Sequence, residues 1–108
     1  MKEKEFVLKH RPSAEVFNNF LVGYFICEPY CYQIAVGDTK AKVWIAAAEL
    51  IAQRIVLAKY PSAELLPPKT GTKFVIYDPV SCSVLATHAK THTAWVKAAE
   101  AVENGRLD

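Results

Sequence analysis

The chain repeats itself, and that duplication limits what it can fold into more than any other feature. Val7-Leu8 and Pro12-Ser13-Ala14-Glu15 recur as Val56-Leu57 and Pro61-Ser62-Ala63-Glu64, a shift of 49. Ile26-Cys27-Glu28-Pro29 recurs as Ile76-Tyr77-Asp78-Pro79, a shift of 50. Trp44-Ile45-Ala46-Ala47-Ala48-Glu49 recurs as Trp95-Val96-Lys97-Ala98-Ala99-Glu100, a shift of 51. The three matches keep their order and drift by single-residue insertions at loop-like places. They predict two copies of one supersecondary unit, with pseudo-repeats at about 12–60 and 61–108.

Each copy reads as strand, tight turn, strand, helix. Residues 21–27 form a continuous apolar run of strand length that ends at Glu28-Pro29, and 32–36 return to Gly37-Asp38. In the second copy 73–77 lead into Asp78-Pro79, and 82–87 return. An acidic residue before proline suits a reversal, because proline pre-sets its own φ and aspartate opens type I turns. From Lys40 to Lys59 the residues Trp44, Ala47, Ala48, Ile51, Ile55 and Ala58 share one face at helical spacing. Thr39 or Asp38 is placed to cap that helix and Pro61 to stop it. A second helix over 92–103 buries Trp95, Ala98, Ala99 and Val102, with Thr91 as its expected cap and Gly105 as its end. The match of Phe6-Val7-Leu8-Lys9 to Ile55-Val56-Leu57-Ala58 predicts a short helix over 2–10. Residues 13–20 suit a further helical turn, and 67–72 connect the copies.

Two repeats are too few for a solenoid, which needs three or more. They are better satisfied by one domain, 1–108, with a shared core. The expected fold is α+β: tandem ββα repeats related by a pseudo-twofold axis. They form a four-stranded, mostly antiparallel sheet with the helices on one face, plus the short N-terminal helix.

Composition narrows the class. With 108 residues, 52% of them hydrophobic and 22% charged, the chain is a folded globular protein rather than a disordered tail. A net charge of +2 is too mild to imply nucleic acid by itself. Met1-Lys2-Glu3-Lys4-Glu5 lacks the pattern of a secretory signal, and Glu49, Gln53 and Arg54 interrupt the longest apolar helix. Three cysteines do not make a disulfide framework. A cytoplasmic protein with no membrane partner is expected, with Cys27 and Cys31, which flank the first turn, reduced.

Catalytic signatures are missing from the sequence: there is no Gly-x-Ser-x-Gly turn, no phosphate-binding glycine loop and no carboxylate pair near a histidine. Glu28 and Asp78 are explained as turn openers. His88 and His92 have i, i+4 spacing, but His88 precedes the helix and no third ligand is near in sequence, so no metal or cofactor is expected. A non-enzyme follows. Val43, Leu50 and Leu57 form a second apolar flank on the long helix, and Tyr30 and Tyr32 sit at a hairpin tip. These five are the candidate protein interface, most simply with a second copy of the chain as a homodimer. Small accessory or inhibitor proteins of bacteria, phages and mobile elements have this size and character. The alternative is nucleic-acid binding, with phosphates held by the loops before the two helices. Lys40 and Lys42 with Thr39 would serve in one copy, and His88, Lys90, Thr91 and His92 in the other.

Overall fold

The computed structural model describes residues 2–19, 21, 23–28, 32–68 and 71–105. In chain order the elements are α1 (Lys2–His10), β1 (Glu15–Asn19), β2 (Gly23–Glu28), β3 (Tyr32–Gly37), α2 (Lys40–Lys59), β4 (Glu64–Leu66), β5 (Phe74–Asp78), β6 (Ser83–His88) and α3 (Thr91–Glu103). The fold is α+β, with three helices and two three-stranded antiparallel sheets, ordered β1-β2-β3 and β4-β5-β6. The expected four-stranded sheet is thus replaced by one sheet per copy. Each sheet gains an edge strand: β1 forms where 13–20 suit a helical turn, and β4 forms at Glu64–Leu66, for which the sequence offers no element. Each copy is helix, three strands, helix.

The chain divides into two compact units, Met1–Ile51 and Ala52–Asp108. The boundary falls inside α2 rather than at its end, where the sequence repeat had been drawn. Its first half closes unit 1, and its second half opens unit 2 in the role α1 plays for unit 1. This accounts for the helical face. Trp44, Ala47, Ala48 and Ile51 are buried as expected, but Ala58 is exposed and Ile55 half-buried. The buried stripe moves instead to Ala52 and Val56, and Val56 is the counterpart of fully buried Val7 in α1.

Local hydrogen bonds repeat with the sequence. Arg11 N donates to Val7 O at 2.7 Å and Ala14 N to Arg11 O at 3.0 Å. In unit 2, Tyr60 N donates to Val56 O at 2.7 Å and Ala63 N to Tyr60 O at 3.0 Å. Thr39 Oγ1 accepts from Lys42 N at 3.1 Å, the expected cap of α2. Thr91 does not cap α3. It is the first helical residue, and the N-cap is Lys90, whose side chain makes no capping bond. The counterpart of Thr39 at a shift of 51 is Lys90, so the repeat places the cap there: Val43 N bonds Thr39 O as Ala94 N bonds Lys90 O, both at 3.0 Å. Gly105, with φ +67, ends α3 as its position predicts, since glycine enters that region without a Cβ penalty.

Both sheets carry a bulge at the same place. Ile26 pairs Ala35 and Cys27 pairs Gln33, which leaves Ile34 as the extra residue on β3. Ile76 pairs Ala86 and Tyr77 pairs Val84, which leaves Leu85 as the extra residue on β6. A bulge lets two successive residues face one side of a sheet, which strict alternation forbids. Ile34 and Leu85 are accordingly buried beside the rows Val16–Ile26–Ala35 and Leu65–Ile76–Ala86. Ile26 and Ile76 are fully buried at the centre of their rows, each stabilising its unit by about 1.5–3 kcal/mol. In unit 2 this covered face packs against α3.

Candidate interaction surfaces

The opposite face of each sheet is apolar and open. In unit 1, antiparallel pairing aligns Phe17 with Phe25 and Phe25 with Val36 across all three strands. The two phenyl rings stack with centroids 5.5 Å apart and planes inclined by 23°. Phe17 is 42% exposed and Val36 48% exposed, whereas residues of that size on a covered face are nearly inaccessible. None of the three is charged; Glu15, opposite Cys27, stands at one end of the face. Valine and phenylalanine suit the pleat on either face, so strand propensity alone would not reveal which side is open.

Unit 2 shows a groove on the corresponding face. Leu66, Val75, Tyr77 and Val84 form its floor, the strand-end segment Pro67-Pro68 one wall, and Gly71, Thr72 and Lys73 its rim, around an open volume of 660 Å³. Val84 is 55% exposed. The Tyr77 hydroxyl is engaged with the Cys82 thiol, and that hydrogen bond is the main cause that pushes the phenol above its ordinary pKa. Cys82 itself sits in the turn before β6, with φ +55 and Sγ 3.5 Å from Pro79 O.

The residues singled out in the sequence are placed as follows. Val43 is fully buried and belongs to the interior, so it offers no docking surface; its position next to Trp44 on α2 puts it within the buried stripe. Leu50 is half-buried and Leu57 38% exposed. Tyr30 and Cys31 lie outside the described residues, and Tyr32 is described only as the first residue of β3. Cys27 stands opposite Gln33 and Glu15. Phe17, Phe25 and Val36 were missed. The available signal was the pairing of Phe17 and Phe25 about a short loop, hidden because 13–20 were read as helical.

The loop residues before the helices fall into two settings. In unit 1, Lys42 Nζ is 3.7 Å from Asp38, and Lys40 lines a shallow 410 Å³ cleft with Lys4, Leu8, Ala14, Glu15, Val16 and Trp44. Lys4 Nζ stands 5.6 Å from the Trp44 ring centroid. In unit 2, His88 Nδ1 accepts from Lys90 N at 3.1 Å, which requires the neutral ring with its proton on Nε2. Burial, then the charges of Lys97, Lys90, His92 and Lys73, hold its pKa below the ordinary value. The charges of Lys73, Lys90, His92 and Lys97 thus all act on His88, and Thr91 begins the helix. Among the described residues, no group of three or more histidine, cysteine or acidic side chains could hold a metal ion. No helix among them is long and apolar enough to cross a membrane.

Asp78 is the one buried charged residue of the described chain, 3% exposed. Ser81 Oγ donates to its Oδ2 at 2.6 Å and Ser81 N at 3.1 Å. The Ser81 hydroxyl is the main cause that lowers the carboxyl pKa, against the opposing effect of burial. A carboxyl depressed in the folded state contributes stability above its unfolded value, about 3.9, and loses it as pH falls through the folded value. The melting temperature is therefore expected to decline as the solution is acidified below about pH 4. Ser81→Ala should flatten that decline; thermal melts of both proteins from pH 7 to pH 2 provide the comparison, and parallel curves would contradict the role of Ser81.

Compared with known proteins, the chain matches no family model, no curated protein and no solved structure.

Proposed function

We propose that the protein is a non-catalytic interaction module that self-associates through the open faces of its sheets, acting as an accessory or inhibitor protein in the cytoplasm. The observation that carries this reading is the Phe17–Phe25–Val36 row, an uncharged aromatic-aliphatic surface aligned across three strands. Aromatic side chains contribute large contact area at little entropic cost, and interface centres are enriched in them and depleted of charge. A second copy is the occupant of choice. A flat apolar sheet face is its own complement under a twofold axis, and two such faces stack about 10 Å apart. A stable dimer buries roughly 800 Å² per protomer, so the row would form the centre of the contact and its polar surroundings the rim.

Light scattering on a size-exclusion column is the test. A dimer is expected for the wild-type protein and a monomer for Phe17→Asp, whose retained far-UV circular dichroism would show that the fold survives. A strictly monomeric wild type at high micromolar concentration would overturn the proposal.

A second reading is favoured by the basic patch of Lys73, Lys90, His92 and Lys97 around His88. It makes the protein a nucleic-acid binder that holds phosphates at the start of α3, with Lys40 and Lys42 as the separate candidates before α2. Binding through several phosphates would weaken steeply as salt rises. Fluorescence anisotropy with a labelled oligonucleotide between 50 and 200 mM salt (about the range over which such contacts show) should then give a steep slope, reduced in Lys90→Ala. Binding that ignores both salt and Lys90→Ala would reject it.

A further inference from the structure

The two units solve one structural problem with different chemistry. In unit 1, Arg11 Nε lies 3.2 Å from Glu28 Oε1, joining the residue after α1 to the last residue of β2. The sequence repeat puts Tyr60 where Arg11 stands and Asp78 where Glu28 stands. The backbone agrees. Arg11 and Tyr60 make the same pair of hydrogen bonds at the same lengths. Glu28 and Asp78 both end their strands beyond the shared bulge, opposite Tyr32 and Ser83.

The environments differ. The side chains of the Arg11–Glu28 pair are 39% and 28% exposed, so water can complete their hydrogen bonding. Tyr60 is 7% exposed and Asp78 3%. Among the described residues, Tyr60 Oη and Asp78 Oδ1 are the two buried side-chain polar atoms with no hydrogen-bond partner. Leaving either unsatisfied is costly, and native interiors seldom leave such atoms unpaired. Ser81 already occupies Oδ2. What remains is a hydroxyl that can donate and a carboxylate oxygen that can only accept, at the two positions that meet in unit 1.

We infer that unit 2 holds one buried water molecule that accepts from Tyr60 Oη and donates to Asp78 Oδ1, replacing the direct ion pair of unit 1. The guanidinium of Arg11 reaches its carboxylate directly; Tyr60 Oη and Asp78 Oδ1 have no direct partner among the described residues, and a water can donate and accept at once, so it satisfies both. A trapped water with two or more polar partners is an ordinary part of a protein interior and is costly to remove. The bridge ties the end of α2 to the β5–β6 hairpin within unit 2.

A crystal structure of the full chain, at a resolution that shows ordered water, is the direct test. Density within hydrogen-bond distance of both Tyr60 Oη and Asp78 Oδ1 is expected. An empty site, or a direct Tyr60–Asp78 hydrogen bond, overturns the inference. Independently, Tyr60→Phe and Asp78→Asn should each lower the melting temperature, and the double variant should lose less than the sum of the two, because both disrupt one bridge. Strictly additive losses count against it.

Discussion

Replacing Trp95 with alanine is expected to cost about 3–5 kcal/mol of stability, enough to remove much of what a domain of this size possesses. The indole is 5% exposed and sits on α3 among Ala94, Ala98 and Ala99, each of them fully buried. Small neighbours let the helix approach β5 and β6 closely, and the indole is the one large side chain among the buried residues of α3. Truncation removes a buried indole and leaves a cavity, whose cost adds to the lost burial. Trp44→Ala should behave similarly in unit 1, where the ring is 7% exposed and also receives the Lys4 ammonium. Urea denaturation followed by circular dichroism measures both. A Trp95→Ala variant whose transition midpoint matched the wild type would show that the indole does not organise the interior of unit 2.

These indoles also mark how far the sequence was legible. Helices with a long apolar stripe and clear ends were readable: α1 and α2 match their expected bounds, and α3 begins one residue early. Strands β2, β3, β5 and β6 were readable because an acidic residue followed by proline, Glu28-Pro29 and Asp78-Pro79, punctuates each pair in the sequence. The third strand of each sheet was not. In β4 only Glu64, Leu65 and Leu66 pair, too few residues to show a period of two, and β1 ends in Asn18-Asn19, which suits a loop as well. Their pairing partners, not their own composition, make them strands. The open apolar face followed the same fate, because Phe17 can be placed on a sheet face only once β1 exists. The bulges left a readable trace in Ile34-Ala35 and Leu85-Ala86, where two apolar residues break the alternation at matching places. Val43 illustrates the opposite error: beside the Trp44 stripe it read as a spare flank, yet a stripe on a helix buried along more than one side is wider than one face. The repeat pairs Glu28 with Asp78, and Asp78 opens its turn as expected, its Oδ2 accepting from Ser81 N. Arg11 and Tyr60, which occupy matching backbone positions, are unlike in chemistry, so their correspondence emerged only from the backbone hydrogen bonds.

Gly23→Ala carries the other large expected effect, and it tests how unit 1 departs from the repeat. Gly23 has φ +86, outside the range an L side chain accepts without strain, and a Cβ there would meet the Gly37 carbonyl oxygen at 2.8 Å. Neither partner can yield cheaply. Gly37 is fixed by pairing with Tyr24, and a Cβ on Gly37 would itself stand 2.8 Å from Val43 N and 3.1 Å from Val43 Cα. The two glycines therefore let β2, β3 and the first turn of α2 close on one another at backbone distance. Backbone strain at Gly23 costs roughly 1–3 kcal/mol and displacement of the neighbouring backbone adds to it, so Gly23→Ala should destabilise by at least about 2 kcal/mol, while Gly37→Ala should destabilise through its clash with the Val43 backbone alone. In unit 2 the corresponding positions are Lys73 and His88, whose larger side chains are accommodated, so the fold as such does not demand glycine. Lys73→Ala is thus the internal control, expected to change stability by less than about 0.5 kcal/mol because Lys73 is exposed. Equal and small losses for Gly23→Ala and Lys73→Ala in chemical denaturation would mean that the close approach in unit 1 is dispensable. A large loss confined to the glycines would mean that the copies, despite a common strand order, enter their closing helices by different backbone routes.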